Sequence, residues 1–337
     1  MRRLAWIVFG LVTALALAWG AAALHFAGPR PPLLANGLAV GFLLAGFGML
    51  IGVRPLRRTL VALVVLFGIF GLWWRSLEPR NDRDWQPDVA RPARVEITGD
   101  LVTVHDLRNI DYRSETDYTP RWETRTFNLA RLNGLDLFLS YWGSPLIAHT
   151  IMSWDFGDGQ HLAISIETRK EKGEEYSAVA GFFRQYELYF VVADERDVVR
   201  LRTNFRGEDV YVYRFDAPPA DARALLLRYV EAVNELHERP QWYNALTENC
   251  TTGIQRLAAS GARRSWWSWK LFVNGYLDEL GYDIGAFDRS MPFAVLKAKS
   301  HINERAKAAN DDPRFSVRIR EGLPRMSPDP GSAGGTR

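Results

Sequence analysis

Three long apolar runs open the chain, and they limit its folds more than any other feature. Leu4–Ala27 spans 24 residues with one internal histidine, His25, Leu33–Val53 spans 21 without a charge, and Thr59–Trp74 spans 16. The third lengthens to Leu56 if Arg57 and Arg58 snorkel. A helical residue rises about 1.5 Å, so about 20 apolar residues cross the hydrocarbon of a bilayer. The first two runs meet that length and the third is borderline. Pro29, Pro31 and Pro32 break the chain after the first run, and Pro55 marks the second turn. A cleaved signal sequence competes for the first run, because Arg2–Arg3 supplies a basic end and Ala21-Ala22-Ala23 imitates a cleavage site. The run is long for that role and two more follow, so a retained helix is expected.

The arginines orient the spans. Residues 1–75 carry Arg2, Arg3, Arg30, Arg54, Arg57, Arg58 and Arg75 and no Asp, Glu or Lys, so all 39 acidic residues of the chain lie beyond them. Arg2, Arg3, Arg54, Arg57 and Arg58 fall on one side of a three-span arrangement, against Arg30 and Arg75 on the other. The richer side is cytoplasmic by the positive-inside rule. The expected location is therefore the cytoplasmic (inner) membrane of a bacterium, multi-pass, with residue 76 onward in the periplasm. Trp73 and Trp74 stand where an interfacial aromatic belt would stand. The formal net charge of +3 belongs to the membrane end and gives no argument for nucleic acid, for which no basic stripe with interleaved aromatics is present either. A single Cys excludes an internal disulfide framework and any Cys-rich metal module.

The chain divides into a membrane domain (1–75), a linker rich in Pro, Arg and Asp (76–95), an α+β domain (96–325) and a disordered tail (326–337). Strands dominate the first half of the domain. Gly99-Asp100 joins two short strands in a tight turn, and Phe156-Gly157-Asp158-Gly159 joins Ile147–Asp155 to Gln160–Glu167. Glu187–Val192 and Asp209–Phe215 read as buried strands, while Leu135–Trp142 fits helix or strand equally. Asp221–Leu236 is helical by the recurrence of Ala224, Leu227, Val230 and Val233, a further helix starts at Asn249, and Trp269–Leu280 is another, ended by Gly281. Strands first and helices after give an α+β fold.

The chemistry concentrates at Asn249-Cys250-Thr251-Thr252. Asn249 is a good N-cap, which makes Cys250 the first helical residue. There its sulfur meets unpaired N–H groups and the positive end of the helix dipole, which lower a thiol pKa. The same N–H groups can stabilise an oxyanion, so Asn249 and Thr251 are the capping and oxyanion-hole candidates. Asn249-Cys250-Thr251 also fits a glycosylation acceptor, a pattern common by chance. A structural cysteine that merely packs remains the plain alternative.

A thiolate nucleophile needs a base held close. His25 lies in a membrane run, His237 closes a helix, and His105 and His301 have no companion motif. His149 interrupts the apolar run Leu146–Met152, and His161 sits on the other arm of the same expected hairpin. The plain reading of His149 is a core imidazole bonded to backbone. A three-residue hairpin loop turns Glu167 towards His149, and a two-residue loop turns it away. Glu167 and His161 both stay open as the group that orients His149. His149, His161 and Cys250 match no familiar zinc spacing, so no metal is expected, and no cofactor. Asp194-Glu195-Arg196-Asp197, with Arg200, Arg202 and Arg206, reads as a solvated ion-paired face, and Arg200 and Arg202 alternate as on one strand face, where a substrate phosphate contact is conceivable.

Several of these pieces recur together elsewhere. Ala148-His149-Thr150, Ser165–Glu174, Phe182–Leu188, Asp194–Asp197, Tyr243-Asn244 and Asn249–Thr252, in this order, make residues from about 120 to 325 resemble the Lnb N-terminal periplasmic domain family, lipoprotein N-acyltransferase-like. The resemblance implies a permuted papain-like domain, an antiparallel sheet plus helices similar to the lecithin retinol acyltransferase group, with His149 and Cys250 at the positions of base and nucleophile. The spacing from His149 to His161 is similar to the two-His spacing of that group. The implied activity is cysteine-dependent acyl transfer through a thioester, with membrane lipids or lipoproteins as partners. A thiol peptidase or amidase acting on cell-wall peptides is the alternative in the same fold, and a non-catalytic membrane-anchored binding or sensing domain is the alternative from another class.

Overall fold

The computed structural model of the chain describes residues 2–244, 270 and 273–324. Asn249, Cys250, Thr251, the helix expected from Asn249 and the expected disordered tail lie outside them. The described residues form two compact units, of which the first holds the chain through Arg83, Glu174–Glu187 and the stretch beginning at Gln241.

The first unit contains α1 (Arg2–Ala27), α2 (Pro32–Gly52) and α3 (Leu56–Ser76). Pro31 and Pro55 hold extended backbone at the N-caps of α2 and α3, so the prolines separate the helices as their fixed φ dictates. The third helix reaches Leu56, and all three are long and apolar enough to cross a membrane. Small residues set the helix contact. A Cβ on Gly46 would lie 2.2 Å from Leu17 Cδ2, and one on Gly20 would lie 2.7 Å from Phe42 Cε1. Without a hydrophobic drive between helices in lipid, close approach at such glycines supplies the packing. The outward faces carry Leu15, Leu44, Val64, Ile69 and Leu72 exposed, a surface suited to lipid rather than water.

The second unit is α+β, built on a mixed eight-stranded sheet. Its strands are β1 (Arg94–Thr98), β2 (Leu101–Arg108), β5 (Trp122–Asn128), β6 (Gly134–Tyr141), β7 (Ala148–Asp155), β8 (His161–Arg169), β9 (Glu187–Ala193, whose first residue belongs to the first unit) and β10 (Asp209–Arg214). The order is β1-β2-β9-β8-β7-β6-β10, with β5 pairing β2. The short β3 (Asp111–Tyr112) and β4 (Tyr118–Thr119) pair separately. The sheet is not purely antiparallel as expected, because β2 meets β9 in parallel at Arg108 and Ala193. The Gly99-Asp100 turn is present, with Gly99 at φ +61° closing Thr98 against Leu101. Leu135–Trp142 resolves as strand: β6 pairs on both edges, which satisfies its backbone as a buried central strand.

Four expectations need correction. Arg200 and Arg202 do not alternate on a strand. Asp194 caps a helix, α4 (Glu195–Arg200), by accepting from Arg196 N at 2.8 Å, and a π-turn continues it over Leu201–Phe205. Nor is this run a solvated face. Glu195, Asp197, Arg200 and Arg202 are buried, and opposite charges from elsewhere in the chain offset the desolvation. In α5 (Pro219–Glu238) Ala224 and Leu227 face outward, and Ala222, Leu226, Tyr229, Val230 and Val233 face the core. Tyr229 decides the rotation by packing edge-on against Trp154, whose Nε1 donates to Ala222 O at 2.9 Å. Within the stretch read as a linker, Trp85 and Val89 are buried in the main core, and the Arg169 guanidinium lies 4.1 Å from the Trp85 ring.

Candidate functional site

The β7–β8 hairpin positions the site. Phe156 N donates to Gln160 O, and Gly157, Asp158 and Gly159 form the loop with φ of +75°, +50° and +72°. Two glycines and an aspartate suit three successive positive φ values, because a larger side chain would be strained there. The three-residue loop sets the register. Ile151 pairs with Ser165 and Asp155 with His161, so two steps further along His149 stands opposite Glu167. Their side chains meet, with His149 Nε2 3.3 Å from Glu167 Oε1. On its other edge His149 pairs with Ser140 of β6.

Glu167 also accepts from Ser165 Oγ at 2.6 Å and from Arg202 Nη2 at 3.1 Å. Arg202 Nη1 donates to Glu208 Oε2 at 3.1 Å, and Ser140 Oγ donates to the same carboxylate. Polar contacts among His149, Glu167, Arg202, Glu208 and Ser140 therefore link β6, β7 and β8 to the π-turn. Burial pushes the Glu167 carboxyl up, but the His149 hydrogen bond and the Arg202 and Arg108 charges outweigh it and hold Glu167 well below the usual carboxylate range. Glu167 is thus an anion facing the imidazole.

His161 lies elsewhere. It is six residues from Glu167 along β8, roughly 20 Å at the rise of a strand, and the structure does not bring it to His149. Its Nε2 lies 3.8 Å from Asp155 Oδ1, and its Nδ1 lies 3.2 Å from Gly159 O. Asp155 also accepts from Arg214 Nη2 at 2.9 Å, and Arg214 pairs with Asp136. Arg320 then joins Asp136 at 2.8 Å to Glu195 at 2.6 Å, and Ser153 Oγ donates to Glu195. This buried ion cluster occupies the turn end of the hairpin, and His149 with Glu167 occupies the open end. Among the described residues no group of three His, Cys, Asp or Glu is placed to hold a metal.

The open end has a further fastening. Asn274 Oδ1 accepts from Ala148 N at 2.9 Å, and Asn274 Nδ2 donates to Ala148 O at 2.7 Å, as a strand partner would. Gly275 N donates to Leu146 O, and a Cβ there would lie 2.1 Å from Pro145 O. Gly275→Ala should therefore push the β6–β7 loop away and lower stability by about 1–3 kcal/mol, read as a drop in thermal midpoint; an unchanged midpoint would show that the loop gives way freely. Sequence reasoning missed Ser140, Ser165, Glu208 and Asn274, and it misplaced Arg202. Ser140 in an apolar strand carried a faint signal; Asn274 and Glu208 carried none.

A model of the Lnb N-terminal periplasmic domain family matches residues 118–274. The match includes the positions of His149, Glu167 and Cys250 and ends at Asn274. No curated protein and no solved structure matches the chain.

Proposed function

Taking residues 118–274 as a Lnb N-terminal periplasmic domain, we propose that the chain is a membrane-held cysteine acyltransferase with a permuted papain-like site facing the periplasm. The observation that carries the reading is His149 in an apolar strand with an ionised carboxylate, Glu167, 3.3 Å from its Nε2. An imidazole so oriented is a general base in search of a proton, and Cys250, at a capped helix start by its sequence, is the group that has one to give.

The reaction has two halves. His149 takes the thiol proton as Cys250 sulfur adds to the carbonyl of a lipid or lipoprotein acyl ester, and Glu167 stabilises the imidazolium that forms. The C–O bond breaks, the alcohol leaves with the proton returned from His149, and the acyl group remains as a thioester. An amine or water then adds to the thioester carbonyl and gives its proton to His149, the C–S bond breaks, and His149 returns that proton to the departing Cys250 sulfur. Backbone N–H groups around Asn249, Cys250 and Thr251 supply the oxyanion stabilisation. Lipid or lipoprotein is favoured as partner because α1–α3 tie the chain to a bilayer. The arginine asymmetry supports placing residues 76–337 on the periplasmic side of the inner membrane.

Intact-mass measurement on the full chain with membrane lipids tests the chemistry. A mass gain of one fatty acyl group, lost with hydroxylamine and absent from Cys250→Ser, is expected. A Cys250 that never loads would leave a binding or sensing domain, and cleavage of cell-wall peptide without acyl loading would make it a peptidase. For topology, a C-terminal reporter that works only in the cytoplasm should be silent, and an active one would reverse the orientation.

A further inference from the structure

Glu174–Glu187 belongs to the same compact unit as the three apolar helices. Phe183 is buried there, its ring stacked on Phe26 with centroids 5.4 Å apart and tilted against Trp19 at 6.1 Å. Arg184 adopts φ +51°, places its guanidinium 4.6 Å from the Trp74 ring centroid and donates to Trp74 O at 2.6 Å. Arg30, just past α1, pairs with Glu174 at 3.3 Å, and Gln185 Nε2 donates to the same carboxylate. Phe26 and Trp74 lie in the last turns of α1 and α3. The segment is therefore fixed at the depth where two spans leave the hydrocarbon and where an aromatic belt sits.

On this segment Tyr176, Val179 and Phe182 are 50%, 56% and 38% exposed. Three open apolar side chains within seven residues, pinned at that depth, continue the lipid-facing surface of the helices; Leu72 on α3 is 73% exposed. A buried phenylalanine and an arginine over a tryptophan fix the segment from one side and leave the other side to whatever surrounds the spans. We propose that Glu174–Glu187 is an interfacial membrane anchor whose Tyr176, Val179 and Phe182 enter the lipid leaflet around the ends of α1 and α3. The inference rests on α1–α3 spanning the bilayer. Its partner is bulk lipid, recognised by apolar contact with no headgroup specificity.

The test uses nitroxide labels on single cysteines in full-length Cys250→Ser protein, reconstituted in vesicles of phosphatidylethanolamine and phosphatidylglycerol. Labels go on Val179→Cys and, independently, Phe182→Cys, with Ile69→Cys as the span control and Thr116→Cys as the water control. Collision rates with oxygen and with a neutral nickel chelate then report depth. Oxygen should exceed nickel at 179 and 182 as it does at 69, with immersion of about 5–10 Å, the depth of interfacial segments. Nickel access at 179 and 182 equal to that at 116, with 69 in lipid, would overturn the anchor and leave the spans standing. Shielding from both agents would mean contact with protein and would also overturn it. Nickel access at 69 would remove the spans and the anchor together.

Discussion

His149→Ala should slow acyl loading of Cys250 by about 10²–10⁴-fold, the usual contribution of a positioned general base, and should slow thiol alkylation at neutral pH. Glu167→Gln should reduce loading by less, since an orienter tunes the base without replacing it. The glutamine can still accept from Arg202 and Ser165, so the fold should survive. Glu167 is held well below the usual carboxylate range and stays ionised at ordinary pH. The acid limb of the pH–rate profile should therefore persist in Glu167→Gln, because that limb comes from other groups. Full loading activity in His149→Ala would end the catalytic reading, and loss of the acid limb in Glu167→Gln would show that the carboxylate itself titrates.

The largest structural effect is expected at Arg320. Arg320→Ala takes the guanidinium from the fully buried Glu195 carboxylate and leaves buried Asp136 with Arg214 alone, where Arg320 now bridges the two. Removing one partner of a buried ion pair costs about 3–5 kcal/mol, and the thermal midpoint in detergent should fall accordingly. Arg320→Lys should recover part of the loss, because one ammonium cannot fork to two carboxylates. The cluster also makes an acid-side prediction. Burial pushes Glu195 up, while Arg320, His161 and Ser153 hold it down at about 2. A lowered carboxylate contributes stability that is present above its unfolded value, near the ordinary glutamate range, and is lost as pH falls towards 2. Glu195→Gln should flatten that part of the stability curve. A midpoint in Arg320→Ala equal to that of the parent would mean the cluster is idle.

How much of this was legible in the sequence varied with the range of the cause. Local chemistry was readable: the prolines between spans, the Gly99-Asp100 turn, the hairpin around Gly157-Asp158-Gly159. The pairing of His149 with Glu167 was legible only as one of two registers, because loop length is fixed by three successive positive φ values that composition permits without requiring. Arg202 was misread because period-two spacing with Arg200 imitates a strand, whereas in the fold Asp194 caps a helix that runs into it. The charged run from Asp194 looked solvated because its partners are remote; Arg320 reaches Glu195 across 125 residues. In α5 a helical stripe was visible but its rotation was not, since that depends on where Trp154 meets Tyr229. Cys250 lies outside the described residues, so its part in the site rests on Asn249 and the helix-start argument.

The first compact unit is assembled from three stretches that are far apart along the chain. The helices are synthesised first, yet Phe183, which stacks on Phe26, follows them by more than a hundred residues. Trp242, which bridges Glu187 and lies under the Arg83 guanidinium, comes later still. A ribosome that has finished α3 has thus made an incomplete unit, whose closing pieces arrive only after most of the sheet has been synthesised. Closure across such sequence separations is slow. The unit is therefore begun first and completed last, and a truncation anywhere before Trp242 should leave the three apolar helices without their closing pieces rather than give a smaller working protein.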